Sequence, residues 1–243
     1  MASAAQRYLK DRVIPDDHIA EYVAGTLPPA KHLMMTCQRE ISVRAHEQIE
    51  FQESIAAEIM QDGPRIALSG DFMSRVVRAL PKRGAKNQGA EQSAEQGTNE
   101  AQNSGEDALE AKLPANDMVP AALRKFIHGQ KADMQWKFLA PGMRFVPIWD
   151  GDQGERIWML KVKGGLNMPE HSHVGEEWSL ILDGSYHVGD QQYARGDLHV
   201  EDETCTHIPR IDPGRDCICL VYTEGPLKPT SLIARVLMPF VGV

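Results

Sequence analysis

PEHSHVGEEWSLILDG, residues 169–184, sets two histidines one residue apart, a glutamate four further on, and an apolar run that stops at glycine. In a strand, residues i and i+2 point to one face, so His171 and His173 project together. Glu177 joins them if the chain bends at Val174-Gly175. A fourth donor has to come from a neighbouring strand, and His207 in EDETCTHIP is the candidate. Three neutral imidazoles and a carboxylate form a mixed N/O set that suits a divalent first-row ion such as zinc, manganese, iron or nickel. The plainer alternative is an exposed polar hairpin with no ion. His128, His187 and His199 lack a comparable setting and read as ordinary histidines.

The segments around this stretch share its period. RIWMLKVKGG, EWSLILDGSYHVG, DLHVED and DCICLVYTEGP alternate or run apolar over four to eight residues between Gly, Asp and Pro. Short strands at regular spacing predict an antiparallel sandwich or barrel over 117–243. The N-terminal part, 1–80, is helical in pattern. IPDDHIAEYVAGTLPP opens on Pro and Asp and closes on Gly25 and a Pro pair, with Ile19, Tyr22 and Val23 on one face. A longer helix is predicted from about Pro29 to Met60, where Leu33, Cys37, Ile41, Ala45 and Ile49 recur every fourth residue. A third begins near Ser69 or Asp71, with Phe72, Val76 and Leu80 as its apolar positions. Between the two parts, 81–116 is rich in Gly, Ala, Gln, Asn, Ser and Glu and reads as a flexible linker.

Composition narrows the function. The chain has 243 residues and a formal net charge of −8. That disfavours direct binding to DNA or an anionic membrane, since phosphates need clustered Lys and Arg. No apolar run reaches membrane-spanning length, the opening has no secretory h-region, and the four cysteines form no CxxC pair. A cytoplasmic protein with reduced thiols is the expectation. Cys217 and Cys219 share a strand face, where a relaxed disulfide fits poorly. They and Cys205 read as structural thiols, with a redox-sensing role as the sharper alternative. Cys37, on the apolar stripe, reads as a core thiol.

The spacing Gly165, His171, His173, Glu177, Gly184 matches the first cupin motif at every interval. Gly196 and His207, eleven residues apart, match the glycine and histidine of the second. Its inner Pro and Gly positions carry Asp202 and Thr204, and its terminal Asn position carries Ile211. HIAEYVAGTL near the start, the His-x-His segment, and DCICLVYTEGPLKP followed by LMPFV near the end resemble ChrR-type cupin anti-sigma factors. The resemblance implies a small all-α anti-sigma-like domain plus an all-β cupin barrel, a double-stranded β-helix. It implies one divalent metal, zinc foremost, held by His171, His173, Glu177 and His207. It also implies an extracytoplasmic-function (ECF) sigma factor as partner and a response to oxidative or photo-oxidative stress.

The helical domain of that family carries its own zinc on an early His and a His-x3-Cys-x2-Cys motif. Aligned on AEYVAGTL, those positions fall at Val13, Gln38, Ser42 and Ala45, which cannot bind zinc. A hydrogen-bonded or apolar seam is expected instead. His18, His32, Cys37 and His46 are badly phased for a substitute site, so no N-terminal zinc is expected. Two further readings stay open: a cupin metalloenzyme of dioxygenase type acting on a small molecule, and a homodimer through exposed cupin strands. No acid–base group beyond the ligands is evident, because Glu176 should point away from Glu177.

Overall fold

A computed structural model describes residues 16–63, 67, 69–79, 118–130, 134–225 and 228–229. The 81–116 segment read as a linker lies outside them, as do Val13 and LMPFV. Five helices are described: α1 (Asp16–Ala24), α2 (Pro29–Ile41), α3 (Val43–Asp62), α4 (Phe72–Ala79) and α5 (Ala121–Gln130). The strands are β1 (Lys137–Ala140), β2 (Met143–Asp150), β3 (Arg156–Val162), β4 (His171–Ser172), β5 (Glu177–Asp183), β6 (Ser185–Val188), β7 (Gln191–Ala194), β8 (Leu198–Glu201), β9 (Arg210–Ile211), β10 (Cys217–Thr223) and β11 (Lys228–Pro229).

Local chemistry sets the helix ends. Gly25 takes φ +70°, and the Gly25 and Thr26 amides turn back to the Tyr22 and Glu21 carbonyls, closing α1. Pro29 occupies the first turn of α2, where its missing N–H is not needed. The single helix expected over Pro29–Met60 is two helices. Ser42 is extended (φ −120°, ψ 110°), and its hydroxyl accepts from the Ala45 amide 3.4 Å away, capping α3. Arg39 then grips Glu53 with two bonds of 2.7 and 2.9 Å and fixes the turn. Helix α5 was not anticipated. Its first turn is capped from a distance: the Ala122 amide donates to the Glu40 carboxylate at 3.1 Å.

The strands form a six-stranded sheet, β1-β2-β3-β10-β5-β8, facing a three-stranded sheet, β7-β6-β9, with β4 and β11 paired beside them. Side-chain alternation along β10 divides the molecule. Cys217, Cys219 and Val221 face inward with Trp158, Leu160, Ile181, Tyr186, Tyr193 and Ile211, filling the space between the sheets. Ile218, Leu220 and Tyr222 face outward. There they meet Met34, Met35, Cys37, Leu123 and Ile127 of the helices in one continuous core. All seven residues of β5, and all seven of β10, are therefore buried. A sheet covered on both faces reads as an unbroken apolar run.

Polar contacts set the helices on the sheet. Gln38 donates from Nε2 to the Gly196 carbonyl at 3.2 Å. Gly196 has φ +89°, and a Cβ there would lie 3.2 Å from the Ile41 carbonyl and 3.3 Å from the Ser42 Cβ. Gln38, Ser42 and buried Ala45 thus form a close-packed, hydrogen-bonded seam, and Gln38 spends its amide on the barrel. Ser42 sits at the helix break and not on a shared helical face. Lys31, almost fully buried, places Nζ 2.8 Å from Glu176 and 2.6 Å from Glu224, and 5.4 Å from the centre of the Trp178 ring. The Trp178 indole N–H also donates to Glu176, at 2.8 Å. Glu176 accordingly points outward, away from the interior that Glu177 enters.

Candidate metal centre

The chain leaves β4 after Ser172, turns through Gly175 at φ +71°, and resumes as β5 at Glu177. That bend brings Glu177 back toward His171 and His173. His207 arrives on the segment between β8 and β9 and pairs with His171 through both backbone bonds, at 3.1 and 3.2 Å. Each of the four side chains offers one donor atom, and these atoms all lie within 4.8 Å of one another. Donors bonded near 2 Å from one tetrahedral ion lie about 3.3 Å apart, so the four side chains must draw together to share one.

All four are buried. Burial, then the neighbouring His207, lowers His171 to about 4. Burial, then His207 and His171, lowers His173 to about 3, so both rings are neutral. Burial pushes the Glu177 carboxyl up to about 7, with Ser179 Oγ 3.5 Å and His173 Nε2 3.7 Å from its oxygens.

The polar inventory indicates what the cluster could hold. Both ring nitrogens of His173 are buried without a hydrogen-bond partner, a costly arrangement unless a ligand is meant to satisfy one. His171 donates from Nδ1 to the Pro169 carbonyl at 2.8 Å, which leaves its Nε2 as a bare lone pair. That lone pair faces His207 Nε2 at 3.0 Å. On its other side, His207 Nδ1 is 3.3 Å from Glu201 Oε1, short of an aligned hydrogen bond. A neutral His207 has one N–H for these two acceptors. A cation held by the two Nε2 atoms removes the conflict, because Nδ1–H can then turn to Glu201. The donor set therefore fits a divalent metal.

The sequence reading missed His199 and Glu201. They lie on β8 as another i, i+2 pair, and His199 Nε2 donates to Glu201 Oε1 at 2.7 Å. The alternation His-x-Glu just before His207 was the available signal. His187 is as expected an ordinary strand histidine, paired with Asp212 at 2.7 Å. Cys217 and Cys219 line the interior with sulfurs 3.6 Å apart. Burial pushes the thiol of Cys37 up, well out of the reactive range. A cavity of about 30 Å³ opens beside the cluster, lined by Tyr186, Ser179, Met168, Pro209 and the two cysteines among others.

Residues 124–227 match the family model of the ChrR cupin-like domain. Over 228 residues the chain is 25% identical to the anti-sigma-E factor ChrR of Cereibacter sphaeroides, covering 93% of this chain and 96% of that one. The crystal structure of Rhodobacter sphaeroides SigE in complex with the anti-sigma ChrR contains a chain that superposes with a TM-score of 0.60 at 22% identity. The match covers 86% of this chain and 97% of that one.

Proposed function

Residues 124–227 match the family model of the ChrR cupin-like domain, and on that premise we propose that the protein is an anti-sigma factor whose helices sequester an ECF sigma factor under control of a metal-binding cupin. The observation that carries this reading is the outer face of α3. Ala45 and Ile49 bury its first half, but no residue after Ile49 is buried. Phe51 is 64% exposed and Ile59 69%, with Ile55 between them on the same stripe. On α4, Met73 and Val77 are exposed apolar residues as well. A helix end carrying apolar side chains on a stripe with no cover is built to meet a partner. The alignment along nearly the whole of an anti-sigma factor supports a sigma factor as that partner, in preference to DNA.

His171, His173, Glu177 and His207 would hold one divalent first-row ion, zinc foremost by the resemblance, with manganese, iron and nickel also suited to the N/O set. The ion's part is to bind these four donors in one arrangement. The chain's part is to relay a change there to the helices through the outward-facing core residues Trp178, Leu180, Leu220 and Tyr222. Oxidants are the signal this reading assigns to the centre. The cavity supports sensing over turnover of an organic substrate: about 30 Å³ admits one or two waters or a ligand of that size. No described helix is long and apolar enough to cross a membrane, and the cytoplasm, where RNA polymerase works, is the place of action.

Co-expression with each ECF sigma factor of the same genome, followed by gel filtration, tests the reading. A one-to-one complex is expected. The double variant Phe51→Asp/Ile55→Asp should weaken it at least 100-fold while leaving metal content at one equivalent. Absence of a complex with the wild-type protein would overturn the proposal.

A further inference from the structure

We propose that Glu201, His199 and Tyr186 form a positioning relay that holds His207 in the tautomer and orientation needed to bind a metal. The inference rests on the metal-centre reading above and extends it to residues that donate no bond to the ion.

The relay follows from counting protons along a buried line. Tyr186 Oη lies 2.8 Å from His199 Nδ1, and His199 Nε2 lies 2.7 Å from Glu201 Oε1. A carboxylate only accepts, so the His199 proton sits on Nε2. His199 Nδ1 is then an acceptor, and Tyr186 must donate to it. The direction of every bond is fixed: Tyr186 O–H to His199, then His199 N–H to Glu201. Glu201 Oε1 is left with capacity for a second donor, and His207 Nδ1 stands 3.3 Å away. A proton on that nitrogen leaves Nε2 free to face His171 and His173, whose ring centres are 4.4 and 5.0 Å from that of His207.

The protonation states agree with this order. Burial lowers His199, keeping the ring neutral. Burial raises Tyr186, so it keeps its proton. Geometry also locks the middle of the line. The His199 ring stacks on Tyr193 with centres 4.1 Å apart and 29° between planes. Every member is buried: Tyr186 on β6, His199 and Glu201 on β8, and His207 beyond it. Carboxylates set behind a ligating histidine in this way orient the ring and strengthen it as a donor. Glu201, His199 and His207 could also be read as three donors for a second ion. The 2.7 Å His199–Glu201 hydrogen bond and the shared use of His207 favour the relay.

The test compares full-length wild type, Glu201→Gln, Glu201→Ala, and Tyr186→Phe alone and combined with Glu201→Ala. Zinc affinity is read by competition with a chromogenic chelator, and the visible spectrum is recorded for cobalt(II)-loaded protein. Loss of such a partner typically weakens metal binding ~10–100-fold, and that loss is expected for Glu201→Ala. The isosteric Glu201→Gln should lose less affinity but shift the cobalt bands, which a purely structural role would not do. Tyr186→Phe should weaken binding in the wild type and add nothing in Glu201→Ala, since the two act in series. Should Glu201→Ala not fold, Glu201→Gln and Tyr186→Phe alone carry the test. Affinities within twofold of wild type and superimposable cobalt spectra in the folded variants would overturn the relay. A wild-type protein that takes up neither zinc nor cobalt would instead overturn the metal centre itself.

Discussion

His173 carries the clearest mark of function. A side chain chosen for stability would not place two ring nitrogens in the interior without partners. Deleting such a group can be neutral or stabilising, because the cost of an unsatisfied buried polar atom goes with it. The metal-free His173→Leu variant should therefore melt at or above the temperature of the metal-free wild type. Zinc should raise the melting temperature of the wild type by several degrees and leave that of the variant unmoved. Thermal scans with and without a chelator measure both. The four donors were legible in the sequence because a short-range pattern, His-x-His-x3-Glu, carries three of them. Glu201 was harder to read as a partner of His207, since five residues separate them and only the fold closes that gap.

Helix α3 shows how local and long-range information divide. Its start could have been read from Ser42, a good capping residue, but the unbroken four-residue stripe from Leu33 to Ile49 argued for continuity. The stripe survives the break because Cys37, Ala45 and Ile49 all still reach the common core. Past Ile49 the helix stands away from that core, and isolated helical turns of this length are marginal in water. Amides from Glu50 to Asp62 should exchange with solvent at least tenfold faster than those of Met34–Gln38. They should slow to comparable rates when the sigma factor is bound. Hydrogen-exchange mass spectrometry reports both. Equal protection in the free protein would show that α3 is braced already.

Taken whole, the molecule is joined more closely than its sequence suggests. Composition marks two folded parts and does not say that one lies on the other. The hint was in β5 and β10: a barrel with one wet face should alternate, whereas Trp178-Ser-Leu-Ile-Leu182 and Cys217–Tyr222 are almost wholly apolar. Both faces are covered, the inner by the opposite sheet and the outer by α2 and α5. Heating should accordingly unfold helices and barrel in one calorimetric transition. The barrel produced alone from residue 134 onward should aggregate, because the outward faces of Trp178, Leu180, Leu220 and Tyr222 would meet water. Two separated transitions would contradict the shared core.

The neighbours Glu176 and Glu177 point to opposite sides of one strand, the first to Lys31 on α2 and the second into the barrel. Adjacent residues on a pleated chain share one peptide and send their side chains to opposite faces. A backbone shift at Glu177 is carried to Glu176 across a single peptide, so the two carboxylates share one anchor at the start of β5, an inner end and an outer end. Whatever loosens the inner end also disturbs the outer one, and the lysine is the first group outside the barrel to feel it.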